Sequence, residues 1–108
     1  MEQISRASVR TEVGLAVECE LGAERRAAQT VDISVTGMCL EMAEPVAVGS
    51  VFRAGFDLPD AGGRVEVEVV AIWAQAGPAT SRMGFRFERF LQGYIELGDF
   101  LVQKAANP

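Results

Sequence analysis

Two short polar groups of residues stand out in a sequence that is otherwise rich in small apolar side chains. The first is RASVR, which places Arg6 and Arg10 four residues apart near the N-terminus. The second is DISVTG, which places Asp32, Ser34 and Gly37 in one turn between two stretches of β-forming residues. Neither group contains a nucleophile beside an activating base, so the chemistry they offer is recognition rather than bond breaking.

The five residues differ in what they can recognise. Arginine presents a planar set of donors that fits phosphate oxygens, or the O6 and N7 acceptors of guanine. An ionised aspartate only accepts, which suits the N1–H and N2 amino donors on the opposite edge of guanine. A serine hydroxyl donates or accepts and can cap a backbone N–H, and a glycine permits a positive φ or a close backbone approach. Together they are complementary to a guanine nucleotide.

Each polar group also has a plainer interpretation. Taken singly, Arg6 and Arg10 are well explained as part of a solvated terminal segment. The Asp32–Gly37 turn is equally well explained as a hairpin that its own Asp and Ser side chains brace. The order and spacing of the two groups together favour a nucleotide site.

Composition excludes several classes of function. The chain has 108 residues, no histidine and a net charge of −5, which disfavours metal-dependent catalysis and binding to nucleic acid polymers. Cys19 and Cys39 are too few for a zinc site or a disulfide framework. The N-terminus has no apolar signal region and no apolar run is long enough to span a bilayer. We therefore expect a cytoplasmic domain without membrane insertion, without a cofactor and without enzymatic activity.

Alternation of apolar and polar residues predicts the fold. Six strands are expected, and leucine, tyrosine and isoleucine side chains then recur at helical spacing near the C-terminus. This order predicts one domain, a small six-stranded antiparallel β-barrel with a C-terminal α-helix. We assign residues 1–10 to a flexible N-terminal ligand-binding segment, 11–88 to the barrel and 90–104 to the helix, with strands at 11–19, 27–33, 37–42, 51–58, 64–74 and 82–90.

The predicted pairing explains how the two polar groups could act together. If the first two strands pair through the turn LGAERR, the start of the first lies beside the end of the second. That arrangement brings Arg10 close to Asp32 at one end of the barrel. The sequence therefore predicts one site assembled from two distant segments.

An RxxxR element followed by a (D/N)xSxxG element at the opening of a small β-barrel resembles the PilZ domain family. RASVR matches the first element and DISVTG the second, and MGFRF is similar to the family's late G-x-x-F strand. The resemblance extends from Arg6 to about Gln103, including the terminal helix. One departure is Ser5, which stands where a further arginine often precedes the first element.

The resemblance implies binding of the bacterial second messenger cyclic di-GMP, as a monomer or an intercalated dimer. Arg6 and Arg10 would hold phosphates and guanine Hoogsteen edges, Asp32 and Ser34 would hold a guanine, and Gly37 would shape the turn. It further implies a receptor that changes conformation and signals to a protein partner in motility, exopolysaccharide and biofilm control, or virulence. The alternative is a ligand-independent PilZ-like adaptor, for instance in pilus assembly.

Four further residues are secondary candidates for the same site. Trp73 could stack on a base, although a single tryptophan in a strand more often packs against the barrel. Gly84 belongs to the late strand motif. Arg82 and Arg86 flank it and could add positive potential, or simply form an outward strand face.

Overall fold

The computed structural model describes residues 10–106, which form seven β-strands and one α-helix. Arg6 and the rest of residues 1–9 lie outside the described residues, as do residues 107 and 108, so the predicted N-terminal segment is described only at Arg10. The elements, numbered in chain order, are β1 Thr11–Glu12, β2 Ala16–Leu21, β3 Glu24–Ile33, β4 Gly37–Met42, β5 Val51–Leu58, β6 Gly63–Ala76, β7 Ser81–Gln92 and α1 Tyr94–Ala106.

Six of the strands close into an antiparallel barrel. Their order is β3–β2–β5–β6–β7–β4, and β4 pairs back onto β3. The short strand β1 is added beside β3, where Thr11 lies opposite Ile33 and Glu12 opposite Asp32. The structure confirms the predicted six-stranded barrel with a C-terminal helix, and β1 is one strand more than the sequence predicted.

The additional strand arises because the first predicted strand, 11–19, is interrupted. The backbone N–H of Leu15 donates to the hydroxyl of Thr30 at 2.8 Å, and the N–H of Thr30 donates to the carbonyl of Leu15 at 2.9 Å. The Thr30 hydroxyl in turn donates to the carbonyl of Val13. A buried side chain thus takes over hydrogen bonds that a continuous strand ladder would make.

The barrel interior is filled by the apolar residues that alternation assigned to it. On β6, Val65, Val67 and Val69 are buried, whereas Glu66 and Glu68 point outward and form ion pairs with arginines. The other large, fully buried side chains come from every part of the described chain; they include Val17, Ile33, Met38, Leu40, Met42, Phe56, Met83, Leu97 and Leu101.

The helix begins later than the sequence predicted. Helical spacing placed its start at residue 90, but β7 continues to Gln92, which pairs with Glu66, and α1 begins at Tyr94 and ends at Ala106. The ring of Phe90 packs edge-on against Tyr94, with centroids 5.0 Å apart, so this aromatic contact joins the strand to the helix. Within residues 10–106, no helix combines the length and apolarity needed to cross a membrane.

Candidate functional site

Arg10 contacts both polar residues of the β3–β4 turn, as the predicted pairing required. Its Nη2 lies 2.6 Å and its Nε 3.1 Å from Asp32 Oδ1, and its Nη1 lies 3.4 Å from Ser34 Oγ. The cause is the pairing of β1 with β3: because Thr11 lies opposite Ile33, the preceding residue comes level with Ser34. The structure therefore brings together two sequence segments that lie 22 residues apart.

Asp32 keeps part of its hydrogen-bonding capacity. Both bonds from Arg10 go to Oδ1, so Oδ2 accepts no hydrogen bond from the described residues. The side chain retains 28% of its accessible surface, and that of Arg10 retains 49%. A ligand with paired donors could therefore reach the carboxylate without first displacing the arginine.

Ser34 braces the turn from inside. It is fully buried, and its Oγ accepts from the backbone N–H groups of Thr36 at 3.2 Å and Gly37 at 3.3 Å. Its own N–H donates to the carbonyl of Gly37 at 2.8 Å. The bracing interpretation of this serine is confirmed, and its hydroxyl reaches the site through its contact with Arg10.

Gly37 is required by close packing between strands. A Cβ atom at this position would lie 2.3 Å from the carbonyl oxygen of Phe85 on β7, well inside contact distance. The residue pairs with Arg86 at the start of the β4–β7 ladder. Of the two reasons that the sequence offered for this glycine, the close backbone approach is the one that applies.

The indole of Trp73 lies across Gly84. The two residues are paired between β6 and β7, just after a register shift between Ala71 and Trp73. A Cβ on Gly84 would lie 2.0 Å from Nε1 and 2.4 Å from Cε2 of the indole, so only glycine leaves room for the ring. The indole remains 43% exposed, which places it outside the barrel core.

These residues surround one open depression on the outer surface of the barrel, with a volume of about 290 Å³. Arg10, Gly37, Trp73 and Gly84 all line it, and Asp32 and Ser34 contact Arg10 at its margin. We call it the barrel-side depression. Arg6 belongs to the part of the chain outside the description, so its place relative to this depression stays a prediction.

The two secondary arginine candidates, Arg82 and Arg86, line different depressions. Arg86 lines the barrel-side depression and pairs with Glu88 at 2.7 Å. Arg82 instead borders a neighbouring depression, where its Nε lies 3.8 Å from Glu41. Arg86 is therefore the better placed of the two to add positive potential.

Cys39 is a lining residue that the sequence analysis did not assign to the site. It is 7% exposed and pairs with Asp32 on one side and Gly84 on the other. Burial, together with the negative charge of Asp32, raises the pKa of its thiol. The signal was present in the sequence, because alternation along β4 puts this residue on the same outer face as Gly37.

Another depression of the described surface offers less to an anionic nucleotide. A somewhat larger depression, about 360 Å³, lies between the β5–β6 turn and α1, but Asp60, Glu96 and Asp99 line it together with a single lysine, Lys104. Across residues 10–106, no group of three or more histidine, cysteine, aspartate or glutamate side chains is placed to hold a metal ion. The barrel-side depression is therefore the candidate ligand site.

Comparison with known proteins identifies the family and the fold. A family model described as the PilZ domain matches residues 4–100. The fold is similar to the Bacillus subtilis inhibitor of motility MotI/DgrA, at 22% identity and a TM-score of 0.80, over 99% of this chain and 55% of that one. It is also similar to Escherichia coli YcgR in complex with c-di-GMP, at 18% identity and a TM-score of 0.73, over 90% of this chain and 44% of that one.

A third likeness is to the separate PilZ domain of E. coli YcgR with c-di-GMP, at 17% identity and a TM-score of 0.68, over 92% of this chain and 95% of that one. No curated protein matches the sequence. The chain spans about half the length of the two longer structures.

Proposed function

The chain belongs to the PilZ domain family, and on that premise we propose that it is a receptor that binds cyclic di-GMP in the barrel-side depression. Binding changes the conformation of the segment that carries Arg6 and Arg10, and a protein partner reads the altered surface. Motility, exopolysaccharide and biofilm control, and virulence are the proposed outputs, and the cytoplasm is the proposed location. The protein acts by binding, not by catalysis.

The observation that carries the proposal is the convergence of three kinds of recognition on one depression. Arg10 offers charge-assisted donors, Asp32 offers an acceptor oxygen that no described residue occupies, and Trp73 offers an aromatic ring over Gly84. Phosphate and the guanine Hoogsteen edge need the first, guanine N1–H and N2 need the second, and a base plane needs the third. Few small ligands need all three at once.

The family membership supports cyclic di-GMP as the specific ligand. E. coli YcgR, whose barrel this chain resembles, has been solved in complex with c-di-GMP. Arg6 and Arg10 of this chain occupy the RxxxR element, and Asp32, Ser34 and Gly37 occupy the (D/N)xSxxG element. We propose that both arginines hold the ligand, and that the open form of the depression admits a ligand monomer or an intercalated dimer.

A second candidate function is the ligand-independent adaptor. One observation favours it: Ser34 is fully engaged in the turn, and Arg10 and Asp32 already pair with each other. The polar cluster is thus coherent in the absence of a nucleotide, as a purely structural brace would be. An adaptor of this kind would present the same barrel surface to a partner whatever the level of the messenger.

Calorimetric titration separates the two functions. We expect saturable binding of cyclic di-GMP, with no comparable signal from GTP or from cyclic di-AMP. Adenine has an acceptor at N1 where guanine has a donor. Adenine N1 and the Asp32 carboxylate would therefore both be acceptors, with no proton between them to form a hydrogen bond. A flat titration with cyclic di-GMP at high micromolar concentration would contradict the receptor function and favour the adaptor.

A further inference from the structure

Strand β6 extends beyond the end of its pairing with β5. Its pairing with β7 continues to Ala76, which lies opposite Ser81. Its ladder with β5 ends where Val51 meets Val70, and the last hydrogen bonds on that side join Ala71 to the backbone of residues 49 and 50. Among the described residues, no strand pairs with the β5 side of residues 72–76. We call this stretch the β6 edge.

The β6 edge lacks the features that usually protect an exposed strand. Natural edges carry lysines, prolines or inward-pointing charges that discourage pairing with another chain. Residues 71–77, AIWAQAG, contain no charge and no proline, and residues 72–76 are all exposed. Two further exposed apolar side chains, Val48 and Val51, lie where β5 begins beside it. Uncharged backbone and apolar side chains together favour addition of a strand.

We infer that the β6 edge pairs with the β6 edge of a second copy of this chain, antiparallel and across a two-fold axis at Ala74. This register sets Ile72 opposite the partner's Ala76 and Trp73 opposite the partner's Gln75, so each large side chain faces a smaller one. β5 pairs with β6 antiparallel, and a two-fold copy continues that arrangement with another antiparallel strand.

The uncharged edge is also where a second copy can approach. The chain carries a net charge of −5, so two copies repel each other over most of their surface. The uncharged residues 71–80 are where two such chains can approach without placing like charges opposite each other. A two-fold contact uses the edge of both copies and closes, so the association stops at the dimer rather than extending into a fibre.

The contact is small and the dimer is correspondingly weak. Five residues on each side, with Val48 and Val51 near the ends, bury far less than the roughly 1,200 Å² of the smallest stable standard interfaces. The equilibrium between monomer and dimer therefore depends on protein concentration within the range that sedimentation can reach. No nucleotide is needed for this contact, so its test on the ligand-free chain does not depend on the proposed receptor function.

Sedimentation equilibrium on the full chain without ligand, from about 10 µM to about 1 mM, tests the inference. The wild type should show a reversible monomer–dimer equilibrium. Ala74→Lys and Ala74→Glu should each weaken it at least about tenfold, because the two-fold axis places like charges opposite each other. An equimolar mixture of the two variants should restore a dimer that contains one chain of each.

The matched control is Ala105→Lys, which adds the same charge at an exposed position of α1 and should leave the dimer unchanged. Melting curves of all variants establish that the barrel is intact. A wild type that remains monomeric throughout would overturn the inference and leave the β6 edge to a strand of another protein. Unchanged dimerisation of Ala74→Lys would overturn it as well, by placing the contact elsewhere.

Discussion

The guanidinium of Arg10 lies 2.6 Å from the carboxylate of Asp32, although the two residues are 22 positions apart. The pair lies at the surface, where an exposed ion pair adds only about 0–1 kcal/mol to stability. Its position at the margin of the barrel-side depression is therefore not accounted for by stability alone. The variants below separate what these residues contribute to binding from what they contribute to folding.

Replacing Arg10 by alanine should lower the affinity for cyclic di-GMP at least about tenfold, because charge-assisted hydrogen bonds to the anion are lost. The melting temperature should change little. Arg25→Ala is the matched control, since this arginine also forms a surface ion pair, with Glu20 at 3.2 Å, but is not among the residues that line the barrel-side depression. Equal affinities of the two variants would move the ligand site elsewhere.

Asp32→Ala should weaken nucleotide binding by more than it lowers the melting temperature. The guanine N1–H and N2 donors lose their acceptor, whereas the folded chain loses only a half-exposed ion pair. Calorimetry and thermal unfolding on the same preparation measure both effects. A collapse in melting temperature with affinity preserved would show that this carboxylate serves the turn instead.

Ser34→Ala should act mainly on folding, with an expected loss of about 1–3 kcal/mol in the free energy of unfolding. The N–H groups of Thr36 and Gly37 would lose their side-chain acceptor at a buried position. Urea unfolding measures the loss, and Ser50→Ala is the control because its hydroxyl bonds the Ala47 carbonyl at an exposed position. Similar small losses in both variants would argue against the bracing role of Ser34.

Gly84→Ala should displace the indole of Trp73, because the new methyl group would lie within 2.6 Å of three ring atoms. Trp73 is the only tryptophan of the chain, so its fluorescence reports the displacement directly. We expect weaker cyclic di-GMP binding from Gly84→Ala and from Trp73→Ala, and near-normal binding from Trp73→Phe, which keeps an aromatic face. Full affinity in Trp73→Ala would remove the stacking contribution from the site.

Stability should fall at alkaline pH because of Cys19. Burial raises the pKa of its thiol from 9.0 to about 11. The folded chain holds this proton more tightly than the unfolded chain, so the stabilising effect is complete below pH 9.0 and is lost as the pH rises towards about 11. Urea unfolding across that range should show the decline in the wild type and a smaller decline in Cys19→Ala. Identical slopes would contradict this assignment.

Much of the barrel was predictable because its strands follow from patterns among residues that are close together in the sequence. Alternation of apolar and polar residues has a period of two in any strand, so Val65, Val67 and Val69 were identifiable as interior positions from the sequence alone. The start of the helix was not, because Phe90 and Leu91 fit both a strand and a helical stripe. Pairing of β7 with β6 as far as Gln92 decided between them.

The candidate site likewise has a part that the sequence predicted and a part that it did not. The sequence indicated Arg10, Asp32, Ser34 and Gly37 through residue type and spacing, and the hairpin register brought Arg10 to Asp32. It did not predict that Thr30 would separate β1 from β2, because that break depends on hydrogen bonds to a residue on another strand. It also favoured barrel packing over an exposed stacking role for Trp73.

The sequence by itself determined the kinds of group available, their order along the chain and the side of each strand on which they lie, because these depend on neighbours within a few residues. Only the tertiary structure decided that Trp73 lies across Gly84 beside Arg10, and that the β6 edge has no partner strand among the described residues. Both depend on the register and relative lengths of strands far apart in the chain, which closure of the barrel sets collectively.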